Sequence, residues 1–582
     1  MIPQLITSAA DQGVYLYVKD GVLHFDLAAE SFPPVLKQQI LAAKPEIIAF
    51  LTQAAAAQTP KRPPLHKGWY PDGCPLSFSQ QRFWLAQQMQ PDDSRYHMPI
   101  AFRLQGAVDL GLLQQVFDLI VQRHEILRTG YLENSGEVRQ YVRAPAGFRL
   151  DVQDLRRYEP SLQDTVLQGE LREAMMQPFD LRHDLMLRAS YFQLSADAAS
   201  GQPQGVLLLV LHHIAFDGWS VDVLTREFVA LYQAGQADPL PVLPVQYADF
   251  AQWQQGQGAL FAGQLQYWQQ QLQDCPVTHG LQLQYDRPAL KQTQGSVVRA
   301  FLPARTAKAL SALAAACQLS DFMLLHSAVA LVLTRHANST DLVIGTAVAN
   351  RTEPQLASLL GCFVNTLALR VNTGHATVAD YLAHVREVHQ QAQSHQDLPF
   401  ELLVEQLDVA RSSAYSPLFQ IMLSSSDSFA DAGASLCQLD GLSLSRLSHD
   451  DVVVKFDLEI DVALNSEGVS VTWSYDTALF ARGYIELLND HLCNLLQAMT
   501  ARLPQQTLPL ALNQLSILGA DLEQYLTDTV HSSLAYLQQL CIQQRFEQWA
   551  AQTPEAVALV FGELRLSYRQ LNEQANQLAH YL

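Results

Sequence analysis

Apolar positions along the chain switch between two periods, and the switches mark its organisation. Residues 14–18 (VYLYV) and 22–27 (VLHFDL) are short β-rich runs joined by Lys19-Asp20-Gly21. Asp-Gly supplies the positive φ values of a tight turn, so the pattern predicts a β-hairpin. Pro33-Pro34 then opens VLKQQILAAKPEIIAFL, whose helical spacing predicts two short helices broken at Pro45. A unit of under about 60 residues holds only a marginal core. It is assigned to residues 1–57 and is followed by a Pro-rich connector over 58–75.

From residue 76 the pattern is that of a long mixed α/β region. Leu112, Leu113, Val116, Phe117 and Ile120 recur at helical spacing. Residues 206–211 (VLLLVL) form a continuous apolar run, as in a strand covered on both faces. Residues 251–295 are rich in Gln and poor in strand formers, which predicts a bridge between two lobes. A second series of helices and strands follows at 306–317, 322–334, 342–347 and 363–371. Two lobes of comparable length are therefore expected, at 76–250 and 296–501. A linker is assigned to 502–540. The stretch 541–582 reads as helix, strand-turn-strand and helix, and it stops inside that last helix without a cap, as a piece of a longer chain would. The longest apolar runs, such as 322–333 with His326 inside it, fall short of the about 18–20 residues a membrane span needs.

Composition narrows the class. Hydrophobic residues make up 48% and charged ones 16%, with 28 Gly and 27 Pro, which excludes collagen-like and highly charged disordered chains. The 37 Lys+Arg against 57 Asp+Glu leave a net charge of −20, a poor basis for holding nucleic acid or anionic membrane. The 7 cysteines are scattered with no CxxC pair, so neither a disulfide framework nor a structural zinc site is indicated and a reducing cytoplasm is expected. The N-terminus lacks the basic head and apolar run of a signal peptide.

No GxxxxGK[ST], GxSxG or HExxH occurs in the sequence. One junction does stand out, His212-His213-Ile214-Ala215-Phe216-Asp217-Gly218-Trp219-Ser220, at the carboxyl end of the buried run. Side chains alternate faces along a strand, so the two histidines point in opposite directions, which argues against their sharing one metal. An imidazole has an ordinary pKa of about 6.5 and suits proton exchange near neutrality, while the bland alternative is a satisfied core histidine. Asp217 is either a second catalytic group or an ion-pair anchor. Burial favours the anchor, because a buried carboxylate needs a cationic partner. Gly218 would allow a tight turn after it.

HHIAFDGWS resembles the HHxxxDG motif of nonribosomal peptide synthetase condensation domains, members of the chloramphenicol-acetyltransferase-like superfamily. The likeness extends through SFSQQRFWLAQQM, RHEILRTGY, YADFAQW, IGTAVANR, GCFVNTLALR, HQDLPFELLVEQL and SPLFQIML, in family order from residue 76 to about 500. Ser412 departs from the Asp that usually follows Arg411. Residues 1–57 resemble the tubulysin-type docking domain, and 541–582 look like the beginning of an adenylation domain.

The resemblance implies a mixed α/β fold of two such lobes in a V-shaped pseudo-dimer, preceded by the small α/β docking unit. It implies amide-bond formation between an upstream carrier-bound thioester and the α-amine of a downstream carrier-bound aminoacyl thioester, of L-donor, L-acceptor type, with a D-donor subtype as the runner-up. Both arms would be 4'-phosphopantetheine on partner carrier proteins, with no cofactor bound to this chain and no metal. His213 falls on the catalytic position. His212, Asp217, Gly218 and Arg351 would shape the site, with Asp217 pairing with Arg351, and Arg82, Arg128 and Asn365 would lie near the channel. Tyr247 and Trp253 read as core. The hairpin residues Val14, Tyr15, Leu16, Tyr17, Val18, Val22, Leu23, His24 and Phe25 would receive the C-terminal peptide of an upstream synthetase protein by strand addition. Competing readings are a free-standing acyl-CoA-dependent acyltransferase and a non-catalytic docking scaffold.

Overall fold

The computed structural model describes residues 62–134, 136–197, 200–235, 239–407, 409, 412–425, 441–447, 452–530 and 541–582, with 14–19, 22–27 and single positions between 36 and 48. Strands Val14–Lys19 and Val22–Leu27 pair antiparallel, Lys19 opposite Val22. That register leaves the two residues of an Asp-Gly loop between them, which themselves lie outside the described residues. Leu36, Ile40 and Ile47 beyond the hairpin are buried.

The first lobe is built on a five-stranded sheet in the order Leu442–Arg446, His97–Gly106, Gln204–His212, Leu187–Leu194, Asp151–Asp154. Gln204–His212 is its central strand, and it is buried continuously from Gly205, which explains why the sequence shows an unbroken apolar run there. Helices Leu110–Arg123 and Gly218–Ala234 bring Val116, Phe117 and Ile120, and Val223, Leu224 and Phe228, into the same core. Each such side chain contributes about 1.5–3 kcal/mol when fully buried. Asp109 caps the first of these helices through the Leu112 N–H at 3.0 Å.

The second lobe carries a seven-stranded sheet in the order Asn365–Asn372, Asp341–Val348, Ile421–Ser425, Leu458–Leu464, Gly468–Asp476, Gln294–Pro303, Val452–Val453. Helix Asp321–His336 is buried all the way from Leu324 to Thr334, as its all-round apolar sequence requires. Among the described residues no single helix is long and apolar enough to cross a membrane. The bridging segment divides its loyalties. Tyr247 and Phe250 of helix Tyr247–Gln255 belong to the first core, Phe261 and Trp268 of helix Gly258–Gln271 to the second.

Three placements differ from the sequence reading. Strand Leu442–Arg446, within the stretch assigned to the second lobe, pairs with His97–Gly106 and completes the first sheet. Residues Leu356, Leu359, Leu360, Cys362 and Phe363 also join the first core. The third concerns the presumed linker, whose first part packs on the second lobe. There Leu512 and Leu515 are buried, and Arg335 donates to their carbonyls at 2.9 and 2.6 Å. Local periodicity reports whether an element is buried, not which sheet edge buries it. Residues 518–582 form a separate unit with helices Ala520–Val530, Ile542–Gln552 and Tyr568–Tyr581 and the strand pair Val557–Phe561 and Leu564–Ser567.

Candidate active site

The central strand ends at His212, and His213 opens a short 3-10 turn, His213–Ala215. Their rings diverge as strand alternation demands. His212 is fully buried against Phe179 and His97, with ring centres 5.6 and 6.0 Å away, and its Nδ1 accepts the Ile214 N–H at 3.2 Å. Burial lowers its pKa to about 3, so it is a neutral packing group. His213 stacks on Phe83 at 4.8 Å, its backbone N–H donates to the Tyr96 carbonyl at 2.8 Å, and Cys362 Sγ lies 3.8 Å from its Nδ1. Part of the residue's surface stays accessible. The surrounding protein, together with the positive charges of Lys455 and Arg82, holds its imidazole well below the ordinary 6.5. At neutral pH the ring is uncharged and able to accept a proton.

Asp217 organises the turn that follows. It caps helix Gly218–Ala234, its Oδ1 accepting the Ser220 N–H at 2.8 Å and the Ser220 hydroxyl at 2.6 Å, and its Oδ2 accepts the Phe363 N–H at 3.0 Å. Arg351 does meet it. Nη2 lies 3.1 Å from Asp217 Oδ1 and 3.0 Å from Ser220 Oγ, while Nη1 donates to the carbonyls of Leu356 and Leu359 at 2.6 and 2.7 Å. Both side chains are almost wholly buried, 3% and 2% exposed. The pair therefore joins the His213 turn to the segment that carries Cys362. A second tie runs alongside it: His124 Nε2 lies 2.7 Å from Glu227 Oε2, and His124 Nδ1 accepts the Leu360 N–H at 3.3 Å.

The remaining expected residues divide between this corner and the framework around it. Gly218 is the first residue of its helix and takes no positive φ, so the turn does not depend on glycine's left-handed freedom. Arg82 lies over the Phe83 ring at 4.7 Å and pairs with Glu401 of helix Phe400–Gln406 at 3.1 Å, spanning the two lobes. Arg128 and Asn365, expected near the channel, are framework groups instead. Arg128 Nη1 donates to the Arg143 carbonyl and Nη2 lies 3.4 Å from Glu125 Oε1. Asn365 donates to the carbonyls of Gln396 and Leu398 and accepts the N–H groups of Thr366 and Phe400, which seats helix Phe400–Gln406. Tyr247 is buried and donates to the Cys362 carbonyl at 2.7 Å. Trp253 is partly buried against the first core and donates to the Pro63 carbonyl at 2.5 Å. The sequence reading did not single out Ser220, Cys362 or Lys455. Ser220, lying three residues after Asp217 at a helix start, carried the capping signal that could have found it.

Two lobes on a chloramphenicol-acetyltransferase-like plan thus bring a partly accessible neutral histidine to a central strand end, with a buried Asp-Arg pair behind it. A family model of the condensation domain matches residues 71–513, and one of the TubC N-terminal docking domain matches 2–53. The chain belongs to the condensation-domain family of nonribosomal peptide synthetases, amide-bond-forming acyltransferases. It is 35% identical to malpinin synthetase of Mortierella alpina over 87% of its own length and 6% of that protein. It is likewise 35% identical to a dimodular nonribosomal peptide synthase of Bacillus subtilis (strain 168), over 89% of this chain and 22% of that one. It thus spans a small part of these relatives. Among solved structures, the X-domain from teicoplanin biosynthesis aligns with a TM-score of 0.69 at 26% identity, covering 78% of this chain and 100% of that domain. The first condensation domain of the calcium-dependent antibiotic synthetase shares the fold with a TM-score of 0.61 at 19% identity, covering 77% and 100%.

Proposed function

We propose that this chain joins an upstream peptidyl or aminoacyl thioester, of L-configured donor type, to the α-amine of a downstream aminoacyl thioester, both delivered on 4'-phosphopantetheine arms of carrier proteins. The observation that carries this reading is His213. The residue is partly accessible, its neutral ring contacts Phe83 and Cys362, and its backbone N–H is held by the Tyr96 carbonyl. As the nitrogen attacks the donor carbonyl it becomes acidic, and His213 takes its proton. A ring of such low basicity suits this step better than deprotonating a free ammonium, whose pKa is about 8. Holding the two thioesters together supplies a further effective molarity on the order of 10⁵–10⁸ M. Asp217 and Arg351 keep the turn in place without touching the reacting atoms. Helix Gly218–Ala234 begins beside the turn, its N-terminus capped by the Asp217 carboxylate.

Residues 1–57 dock an upstream synthetase protein through the hairpin edge, main-chain pairing giving affinity. Residues 541–582 are the start of an adenylation domain. The L-donor assignment rests on the likeness of the SFSQQRFW and RHEILRT blocks. Intact-mass analysis of the downstream carrier, with both carriers loaded, tests the whole reading. The parental chain is expected to add the donor mass to the acceptor carrier and His213→Ala to lose most of that product. Product at the parental rate from His213→Ala would remove its assigned role.

A further inference from the structure

Lys455 follows strand Val452–Val453 of the second lobe and precedes strand Leu458–Leu464, yet its ammonium reaches the first-lobe site. Nζ lies 5.8 Å from the centre of the Tyr96 ring. Tyr96 supplies the carbonyl that holds the His213 N–H, and its ring meets Phe83 edge-on at 4.9 Å, the same Phe83 that stacks on His213. Among the described residues the neighbouring carboxylates are already engaged. Glu459 Oε1 accepts the backbone N–H groups of Lys455 and, at 3.1 Å, of Phe456. Glu401 is paired with Arg82 at 3.1 Å. Among the described residues Lys455 forms no ion pair within 4.0 Å. A half-buried cation with no counter-ion lowers stability, and the cost is offset when a bound partner supplies the negative charge. Beside a base that serves amide formation, the charge that comes and goes is the one on the donor carbonyl oxygen.

We propose that Lys455 is a catalytic residue of the condensation reaction, its ammonium facing the oxygen on which negative charge develops. This rests on the condensation reading above. The N–C bond forms as the carbonyl π pair moves onto oxygen, where Lys455 stabilises it, and His213 accepts one proton from the attacking nitrogen. The oxygen pair then re-forms the carbonyl, the C–S bond breaks, and the proton on His213 passes to the departing thiolate. Lys455 keeps its own proton throughout. Among the described residues the other titratable or charged groups facing this corner are Arg82, Asp217, Glu401, Glu459, His212 and the Cys362 thiol.

Two readouts on the full chain test this, one with loaded carriers and one without turnover. Lys455→Met is expected to lower kcat on the order of 10²-fold with KM within about twofold, the loss typical of removing one oxyanion donor. In the unloaded protein the His213 ring, assigned in the NMR spectrum by its disappearance in His213→Ala, should titrate at higher pH in Lys455→Met, because a neighbouring cation has gone. Lys455→Gln, a polar replacement, serves for both readouts if the methionine variant folds poorly. An unmoved His213 titration would place the ammonium away from the site and overturn the proposal, whether or not the chain condenses. A moved titration with parental kcat would overturn the proposal and leave the condensation reading standing. No amide from the parental chain would overturn both.

Discussion

The buried pair between Asp217 and Arg351 gives the most quantitative test of how this site is held. Asp217→Ala deletes the acceptor of the Ser220 and Phe363 N–H groups and leaves the guanidinium of Arg351, 3% exposed, without a counter-ion. Losing a helix N-cap costs about 0.5–2 kcal/mol and stranding one member of a buried pair about 3–5 kcal/mol. These losses share one side chain and overlap, so the expected total is about 3–5 kcal/mol, a large part of the about 5–15 kcal/mol that holds a folded domain. Asp217→Asn separates the two causes, because Asn caps as well as Asp but carries no charge. If charge dominates, Asp217→Asn and Arg351→Met each lose about 3 kcal/mol or more. The double variant should recover a good part of the summed loss, since no buried charge is then left alone. Trp219 is a convenient reporter: it follows Gly218, and its Nε1–H donates to the Ala357 carbonyl at 3.3 Å across the same junction. Urea unfolding followed by tryptophan emission measures all four proteins. Single variants within about 1 kcal/mol of the parent, or a double variant showing the plain sum, would refute the argument.

Other outcomes follow from the same geometry. Ser220 Oγ donates toward Asp217 Oδ1, lies 3.1 Å from the Gly361 carbonyl, and accepts from Gly361 N–H and Arg351, so Ser220→Ala should lose about 1–3 kcal/mol by urea titration although the change removes a single oxygen. Acid should unfold the protein through its buried histidines. His212 and His389 have folded pKa values lowered to about 3 and about 4, so between roughly pH 6 and pH 4 only the unfolded chain takes up their protons. Stability, complete above about pH 6.5, then falls with pH by about 1.4 kcal/mol per unit for each histidine. Asp457, lowered to about 2 by Arg287, His279 and Lys291, adds its loss only below about pH 4. Denaturation midpoints from pH 7.5 to 5 check the slope, and a flat profile would contradict it. His212→Gln should lessen the slope.

Much of this was legible in the residues because it is local. Periodicity placed helix Leu110–Arg123 and the paired strands Val14–Lys19 and Val22–Leu27 closely, and the unbroken run before His212 marked a strand buried on both faces. Strand alternation alone separated the two histidines. What was not legible depends on contacts between distant segments. Asn365 and Arg128 sit inside site-like motifs, yet their donors are taken up by backbone carbonyls that only the folded chain brings near. Lys455 stands in an ordinary β-rich stretch, where a lysine reads as solvated surface, and only the pairing of remote strands turns it inward. The boundary after residue 501 failed for a similar reason. The short elements at 504–515 have no strong period of their own and are fixed by Arg335 and by pairing with Thr377.

The strand that crosses between lobes also bears on how a second-lobe cation comes to lie near the His213 turn. Arg446, the last residue of strand Leu442–Arg446, pairs with Phe102 in the first sheet, while Leu444 is buried in the first core. Lys455 lies nine residues further on, a stretch that spans at most about 30 Å when fully extended. The Asp217–Arg351 pair and the Cys362 segment pin the opposite side of the same corner. Separating the lobes along these ties would require unpairing a sheet edge, stripping Leu444 from its core, or breaking a buried ion pair, each costing several kcal/mol. If Lys455 acts as proposed, its site is assembled from both lobes and braced by these ties, the kind of rigidity that stabilising a transient oxyanion requires.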